Sequence, residues 1–202
     1  ADEGAELQAA LPQGANVRLG RSGNQRIAVL ATTEHHCLGE LLLRHAHGEL
    51  SATIEVVLSN HATLAPLVNR FGLPFYHVPH QDVTRDAHEQ ALVEILARHE
   101  LDYLVLAKYM RILSRSFIDR YPNRIINIHH SFLPAFVGSN PYRQAFERGV
   151  KIIGATAHFV TEALDEGPII AQSVVPVDHS WRPEEMAQAG RDVEKIVLAK
   201  AL

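Results

Sequence analysis

The 202-residue chain contains one cysteine, Cys37. No intrachain disulfide can form, and a reducing compartment suits such a chain. No apolar stretch approaches the roughly 20 residues that a helix needs to cross a bilayer, and no secretory signal pattern opens the sequence. Positive charge is not in excess: the net charge is -4 with His neutral, so no global basic field invites nucleic acid. Glycine is missing from Thr32-Thr33-Glu34-His35-His36-Cys37-Leu38, a turn between an apolar run and a helical pattern. Loops that cradle phosphate ahead of a helix rely on glycines and exposed backbone N–H groups. These absences exclude a disulfide scaffold and a membrane-spanning helix, and they count against nucleotide and nucleic-acid ligands. What is present is ordinary for a globular chain, with 47% hydrophobic and 21% charged residues. The default expectation is a cytoplasmic protein with no membrane partner. Thirteen histidines are too many for all of them to carry chemistry.

Residues 1–20 read as a small helix (Glu6 to Ala10) and a short extended piece (Ala15 to Leu19), too little to form a core. Residues 21–25 follow as a polar linker. From Arg26 short apolar runs alternate with amphipathic segments. The strand patterns are Ile27 to Ala31, Ile54 to Leu58, Phe75 to Val78, Tyr103 to Ala107 and Arg124 to His129. Helical spacing covers Cys37 to His45, Leu64 to Phe71 and Thr84 to His99. Such alternation predicts right-handed crossovers and an open, mostly parallel α/β sheet with helices on both faces. The runs Ile152 to Val160 and Ile169 to Val177 are joined by a short connection, which predicts a hairpin and a mixed sheet at the far end. Pro183 to Leu202 reads as a closing helix with proline in its first turn.

The run Asn127-Ile128-His129-His130-Ser131-Phe132-Leu133-Pro134 ends the fifth strand pattern. Residues two apart on a strand share a face, so Asn127 and His129 point together while Ile128 enters the core. Ligands of open α/β sheets bind beyond the carboxyl ends of the strands, where this run and the segment after Ala107 both lie. The later run Thr161-Glu162-Ala163-Leu164-Asp165-Glu166-Gly167 delivers carboxylates on a glycine turn. An amide, an imidazole and a carboxylate together are parts for chemistry at a carbonyl carbon. By residue type alone each also has a structural use. An asparagine can bind local backbone, a histidine near a strand end can be satisfied in the core, and an aspartate can serve its turn.

The order Asn-x-His, Ser-x-Leu-Pro, then Asp before Gly resembles the folate-dependent formyltransferases and formyl hydrolases. The double histidine 129–130 and Ser131-Phe132-Leu133-Pro134-Ala135-Phe136 are most similar to the formyltetrahydrofolate deformylase branch of that family. The likeness runs from Arg26 to the end of the chain. It takes in Val105-Leu106-Ala107-Lys108-Tyr109-Met110-Arg111-Ile112-Leu113 and Gly154-Ala155-Thr156-Ala157-His158-Phe159-Val160.

The resemblance implies a Rossmann-like formyltransferase fold over residues 26–202. It implies catalytic roles for Asn127, His129 and Asp165, with Glu162 and Glu166 ranked lower. A pterin-binding segment at Met110, Arg111, Ile112 and Leu113 faces a second wall that includes Thr161 and Leu164. Gly138 permits close loop packing, and Val137 departs mildly from a position often held by proline. His130, where related transferases have Pro or Ala, either holds water or packs on the following loop. His158 either supports the site or is a buried structural histidine. Residues 1–20 look like the tail of an ACT-type regulatory domain, with an ordinary extension as the alternative, and the chain is expected to be incomplete at one or both ends.

A related transformylase carries a Gly-Asn-Gly-Ser-Asn type loop where this chain has His36-Cys37-Leu38, which matches the deformylases except that His35 replaces their Asp. The expected activity is therefore hydrolysis of 10-formyltetrahydrofolate to tetrahydrofolate and formate, within one-carbon metabolism and formate supply for purine synthesis. The folate is a substrate, so no bound cofactor is expected. No metal is expected either, since the adjacent His35, His36 and Cys37 suit one ion poorly. The family suggests a homo-oligomer. The alternatives are transfer of the formyl group to an amine on a ribonucleotide or aminoacyl-tRNA, and a non-enzymatic folate-binding protein.

Overall fold

The computed structural model describes residues 24–135 and 141–202. The chain runs through β1 (Gln25–Ala31), α1 (His36–Ala46), β2 (Ala52–Ser59), a 3-10 turn (Ala62–Leu64), α2 (Ala65–Asn69) and β3 (Phe75–His77). It continues through α3 (Arg85–Leu96), β4 (Tyr103–Leu106), α4 (Arg115–Ile118), β5 (Ile125–His129), α5 (Pro141–Glu147), β6 (Ile152–Phe159), β7 (Ile169–Pro176) and α6 (Pro183–Lys200). The strands form one seven-stranded sheet in the order β3-β2-β1-β4-β5-β6-β7. Pairings from β3 through β5 are parallel, and β6 and β7 are antiparallel. The expected mixed sheet is therefore the observed one.

Alternation along β1 divides the core between the two faces of the sheet. Ile27, Val29 and Ala31 pack with Leu38, Leu41 and Leu42 of α1 and with Val197 and Leu198 of α6. Ala28 and Leu30 pack with Leu92 and Leu96 of α3 and Phe117 of α4. Burial of each such large side chain stabilises the fold by about 1.5–3 kcal/mol. In β2 the register shifts between Ile27↔Ile54 and Ala28↔Val56. The extra residue, Glu55, resets the alternation, so Ile54 faces one core and Val56 the other.

Caps set several element ends. Thr84 Oγ1 accepts from Ala87 N at 3.2 Å and starts α3. The helix expected from Thr84 to His99 thus uses Thr84 as its cap and ends at Leu96. The helix expected over Leu64 to Phe71 divides into the 3-10 turn and α2. Two elements have no counterpart in the sequence reading: α4, of four residues, and α5, of seven. Neither is long enough to display a helical period. No helix among the described residues is long and apolar enough to cross a membrane. The expected amino-terminal pieces, residues 1–20 and most of the linker at 21–25, lie outside the described residues.

Candidate active site

β5 is buried on both flanks by β4 and β6, which fixes its twist and presents its end to the sheet rim. Antiparallel pairing sets Asn127 opposite His158 and His129 opposite Thr156. Asn127 Nδ2 lies 3.3 Å from His158 Nε2. His158 Nδ1 donates to the Phe159 carbonyl at 3.0 Å, so in the neutral ring Nε2 is an acceptor for Asn127. An amide NH2 has two N–H groups; one is spent on His158 and one remains.

Asp165 reaches this pair from the β6–β7 connection. It adopts a left-handed backbone, φ 59°, a region that Asp tolerates better than most residues. Gly167 closes the turn so tightly that a Cβ there would sit 1.7 Å from the Phe159 carbonyl oxygen. Phe159 N donates to Pro168 O at 2.9 Å, and Thr161 Oγ1 to Ala163 O at 3.1 Å. The turn thus holds Asp165 Oδ2 3.3 Å from His129 Nδ1 and Oδ1 3.6 Å from His158 Nε2. Contact with His129, then with His158, holds the Asp165 carboxyl well below the usual range despite its burial. It is a carboxylate at neutral pH. At the far end of the His129 ring, Nε2 is buried and has no hydrogen-bond partner among the described residues. Such an atom is expensive unless something meets it, by about 1–3 kcal/mol.

A cleft of about 510 Å³ opens over these groups, lined by Asn127, His129, His130, His158 and Asp165 at its polar end. The segment after β4 forms the opposite, largely apolar wall, with Met110, Ile112 and Leu113. Arg111, Thr161 and Leu164 line it as well, so the expected binding residues meet the expected catalytic ones. Gly138 lies outside the described residues. Met110 and Ile112 are 62% and 66% exposed, unfavourable in water and suited to a flat apolar ligand. The wall is braced from behind. Tyr109 Oη bonds His88 Nε2 at 2.9 Å, and Met110 N donates to Thr32 Oγ1 at 2.9 Å. Burial pushes the Tyr109 hydroxyl up to about 12. Of the rival carboxylates, Glu162 also lines the cleft but pairs with Arg115 at 3.0 Å.

The loop after His130 is tied down by Thr156, whose Oγ1 accepts from Leu133 N at 3.0 Å and donates to Ser131 O at 2.9 Å. Gln172 Nε2 bonds the same hydroxyl at 2.9 Å and Leu133 O at 3.0 Å.

A second buried polar cluster adjoins the cleft, and the sequence reading did not single it out. Glu194 of α6 is 1% exposed, yet Oε2 lies 2.7 Å from His36 Nε2 and 3.3 Å from Lys108 Nζ. Tyr142 Oη donates to Oε1 at 2.7 Å. Burial pushes the Glu194 carboxyl up, but His36, Lys108 and Tyr142 outweigh it and bring it to about 2. His36, Cys37 and Glu194 also bring three ligand-type atoms within 4.8 Å of one another. The charge of that carboxylate is already balanced by the Lys108 ammonium, and burial pushes the Cys37 thiol far up. The available signals were a lysine just after the apolar run Tyr103 to Ala107, and the spacing that sets Glu194 on one helix face with Met186, Gly190 and Leu198.

A family model described as formyl transferase matches residues 25–202. Formyltetrahydrofolate deformylase of Escherichia coli K12 is 54% identical over 198 residues, which is 98% of this chain and 71% of that protein. The crystal structure of a formyltetrahydrofolate deformylase from Pseudomonas syringae superposes with a TM-score of 0.85 at 46% identity, covering 89% of this chain and 60% of that one. Glycinamide ribonucleotide transformylase 1 of Symbiobacterium toebii superposes with a TM-score of 0.84 at 35% identity, covering 94% and 91%.

Proposed function

The chain belongs to the formyltetrahydrofolate deformylases of the formyl transferase family, and from that premise we propose that it hydrolyses 10-formyltetrahydrofolate to tetrahydrofolate and formate. The pterin ring lies against Met110, Ile112 and Leu113, and the formyl group reaches the polar end of the cleft. Water attacks the formyl carbon, and the carbonyl electron pair moves onto oxygen. The second N–H of Asn127 meets that oxygen as charge develops. Asp165 orients His129 through Nδ1 and stabilises the charged ring. Protonated Nε2 then donates toward the reacting group and supplies the proton that lets the amine nitrogen leave. His158 accepts from Asn127 and so fixes the direction of its amide. The activity serves one-carbon metabolism and formate supply for purine synthesis.

The observation that carries this reading is the meeting of Asp165 and His129 at 3.3 Å inside a cleft with one apolar wall. The fold by itself does not separate water from an amine as acceptor, because the transformylase above has it too. Formate release from 10-formyltetrahydrofolate without any added amine decides between them. Release at background until an amine is supplied would leave a transferase.

A further inference from the structure

The Asn127–His129–Asp165 set supplies hydrogen-bond donors and one carboxylate whose Oδ2 is already turned to His129 Nδ1. Attack by water needs the opposite, a free acceptor beside the formyl carbon. His130 is placed for this. It lines the cleft, and its ring centroid lies 5.0 Å from that of His129. It is half-buried, and neither of its ring nitrogens makes a hydrogen bond within the described residues.

The surroundings of this ring come from four elements. Lys108 follows β4, Glu194 belongs to α6, His129 precedes it on β5, and Asp165 stands on the β6–β7 turn. On its outer side the Tyr142 ring of α5 lies at a centroid distance of 6.3 Å. Tyr142 can approach because residue 190 is glycine; a Cβ there would sit 2.0 Å from its hydroxyl. The hydroxyl is pinned to Glu194, which in turn holds Lys108. The buried cluster is therefore a frame around His130. Burial first, then the cations of Lys108 and His129, push the His130 ring down to about 4, against opposing pulls from Glu194 and Asp165. The ring is neutral at physiological pH and carries a free lone pair.

We propose that His130 is the base that holds the attacking water, and that Lys108, Glu194 and Tyr142 are positioning residues that fix its ring; this rests on the hydrolytic reading above. The lone pair of His130 takes one proton as the water oxygen bonds to the formyl carbon. The carbonyl pair becomes an oxyanion beside Asn127 and His129. His129 protonates the amine nitrogen, the C–N bond breaks, the C=O bond re-forms, and formic acid leaves as formate. Proton transfer from His130 back to His129, 5.0 Å away between ring centroids, resets the pair.

The test uses the full chain with 10-formyltetrahydrofolate and no amine, following formate release across pH. His130→Gln, which keeps a polar side chain of similar reach, is expected to lower kcat by about 10²- to 10³-fold with KM changed by less than about threefold. Binding of tetrahydrofolate, measured by titration calorimetry, is expected to stay within about threefold. Lys108→Met removes a cation that opposes protonation of His130, so the acid limb of kcat is expected to move to higher pH. Glu194→Gln removes an anion that favours protonation, so it is expected to move that limb the other way. A purely structural role for the cluster would leave the limb in place in both variants. His130→Gln within about threefold of the parent in kcat would overturn the proposal alone. A parent that releases no formate would overturn the hydrolytic reading instead.

Discussion

Two carboxylates, Asp165 and Glu194, sit in buried polar clusters that share the neighbourhood of His130. Both are held below the usual range, and both touch histidine. They differ in what surrounds them. Glu194 rises from the middle of an 18-residue helix, and His36, Lys108 and Tyr142 occupy both of its oxygens. Asp165 stands on a tight turn at the mouth of a cleft, beside a histidine whose other nitrogen has no partner among the described residues. A satisfied cluster on rigid elements holds its neighbours in place. A cluster with an unmet atom at a cleft has interactions left to offer a substrate.

The comparison can be broken by removing each charge in turn. Asp165→Asn is expected to reduce kcat for formate release by about 10³-fold or more, since it removes the orienting charge behind His129. Its melting temperature is also expected to fall, since the carboxylate paired with His129 is lost, and equal turnover by this variant would remove Asp165 from the chemistry. Glu194→Gln is expected to do its main damage to stability. Lys108 is 6% exposed and would be left as an unpaired buried cation, a cost of about 3–5 kcal/mol. Urea denaturation monitored by circular dichroism reads that loss, and an unchanged midpoint would deny the cluster its structural role.

Acid sharpens the same contrast. The folded Glu194 carboxyl lies at about 2 and its ordinary value is 4.5. Its contribution is therefore fully present above about 4.5 and is lost as pH falls toward 2. Asp165 is depressed too, so its contribution fades in the same direction. The parent urea midpoint should fall between pH 5 and pH 3, and that of Glu194→Gln should fall less. The smallest expected effect lies outside both clusters. Thr84→Ala deletes the cap of α3 at a cost of about 1 kcal/mol, with formate release unchanged at 25 °C. A large loss of activity there would tie α3 to the cleft through His88 and Tyr109.

The cleft cluster was legible in the primary structure, and the framing cluster was not, for a physical reason. Asn127 and His129 are two apart on an apolar strand, and strand alternation alone puts them on one face. Asp165 precedes a Glu-Gly pair, and the turn chemistry marks where carboxylates project, while the family resemblance ranked Asp165 above Glu162 and Glu166. Glu194 sits in a helix among ordinary charged residues, where its residue type suggests solvent although its spacing from Met186, Gly190 and Leu198 puts it on the buried face. It is buried because α6 packs across β6, β7 and α1. Its partner His36 is 158 residues away. Lys108 is directed inward by a left-handed backbone, φ 60°, which residue type does not disclose. Short α4 and α5 were missed for the separate reason that they are too short to show a period.

From the amino-acid order alone, the resemblance to the formyltransferases singled out Asn127, His129 and Asp165, and local rules on spacing and turn residues yielded the mixed α/β sheet and its rim. These features depend on periods of two and on glycine geometry, which neighbouring residues determine. Tertiary structure alone decided which oxygens of Asp165 face which histidine, that Glu194 and Lys108 are buried as a pair, and that the His130 nitrogens make no hydrogen bond among the described residues beside them. Those outcomes depend on how distant elements pack, and a charge buried by such packing must find its counter-charge wherever the fold places it.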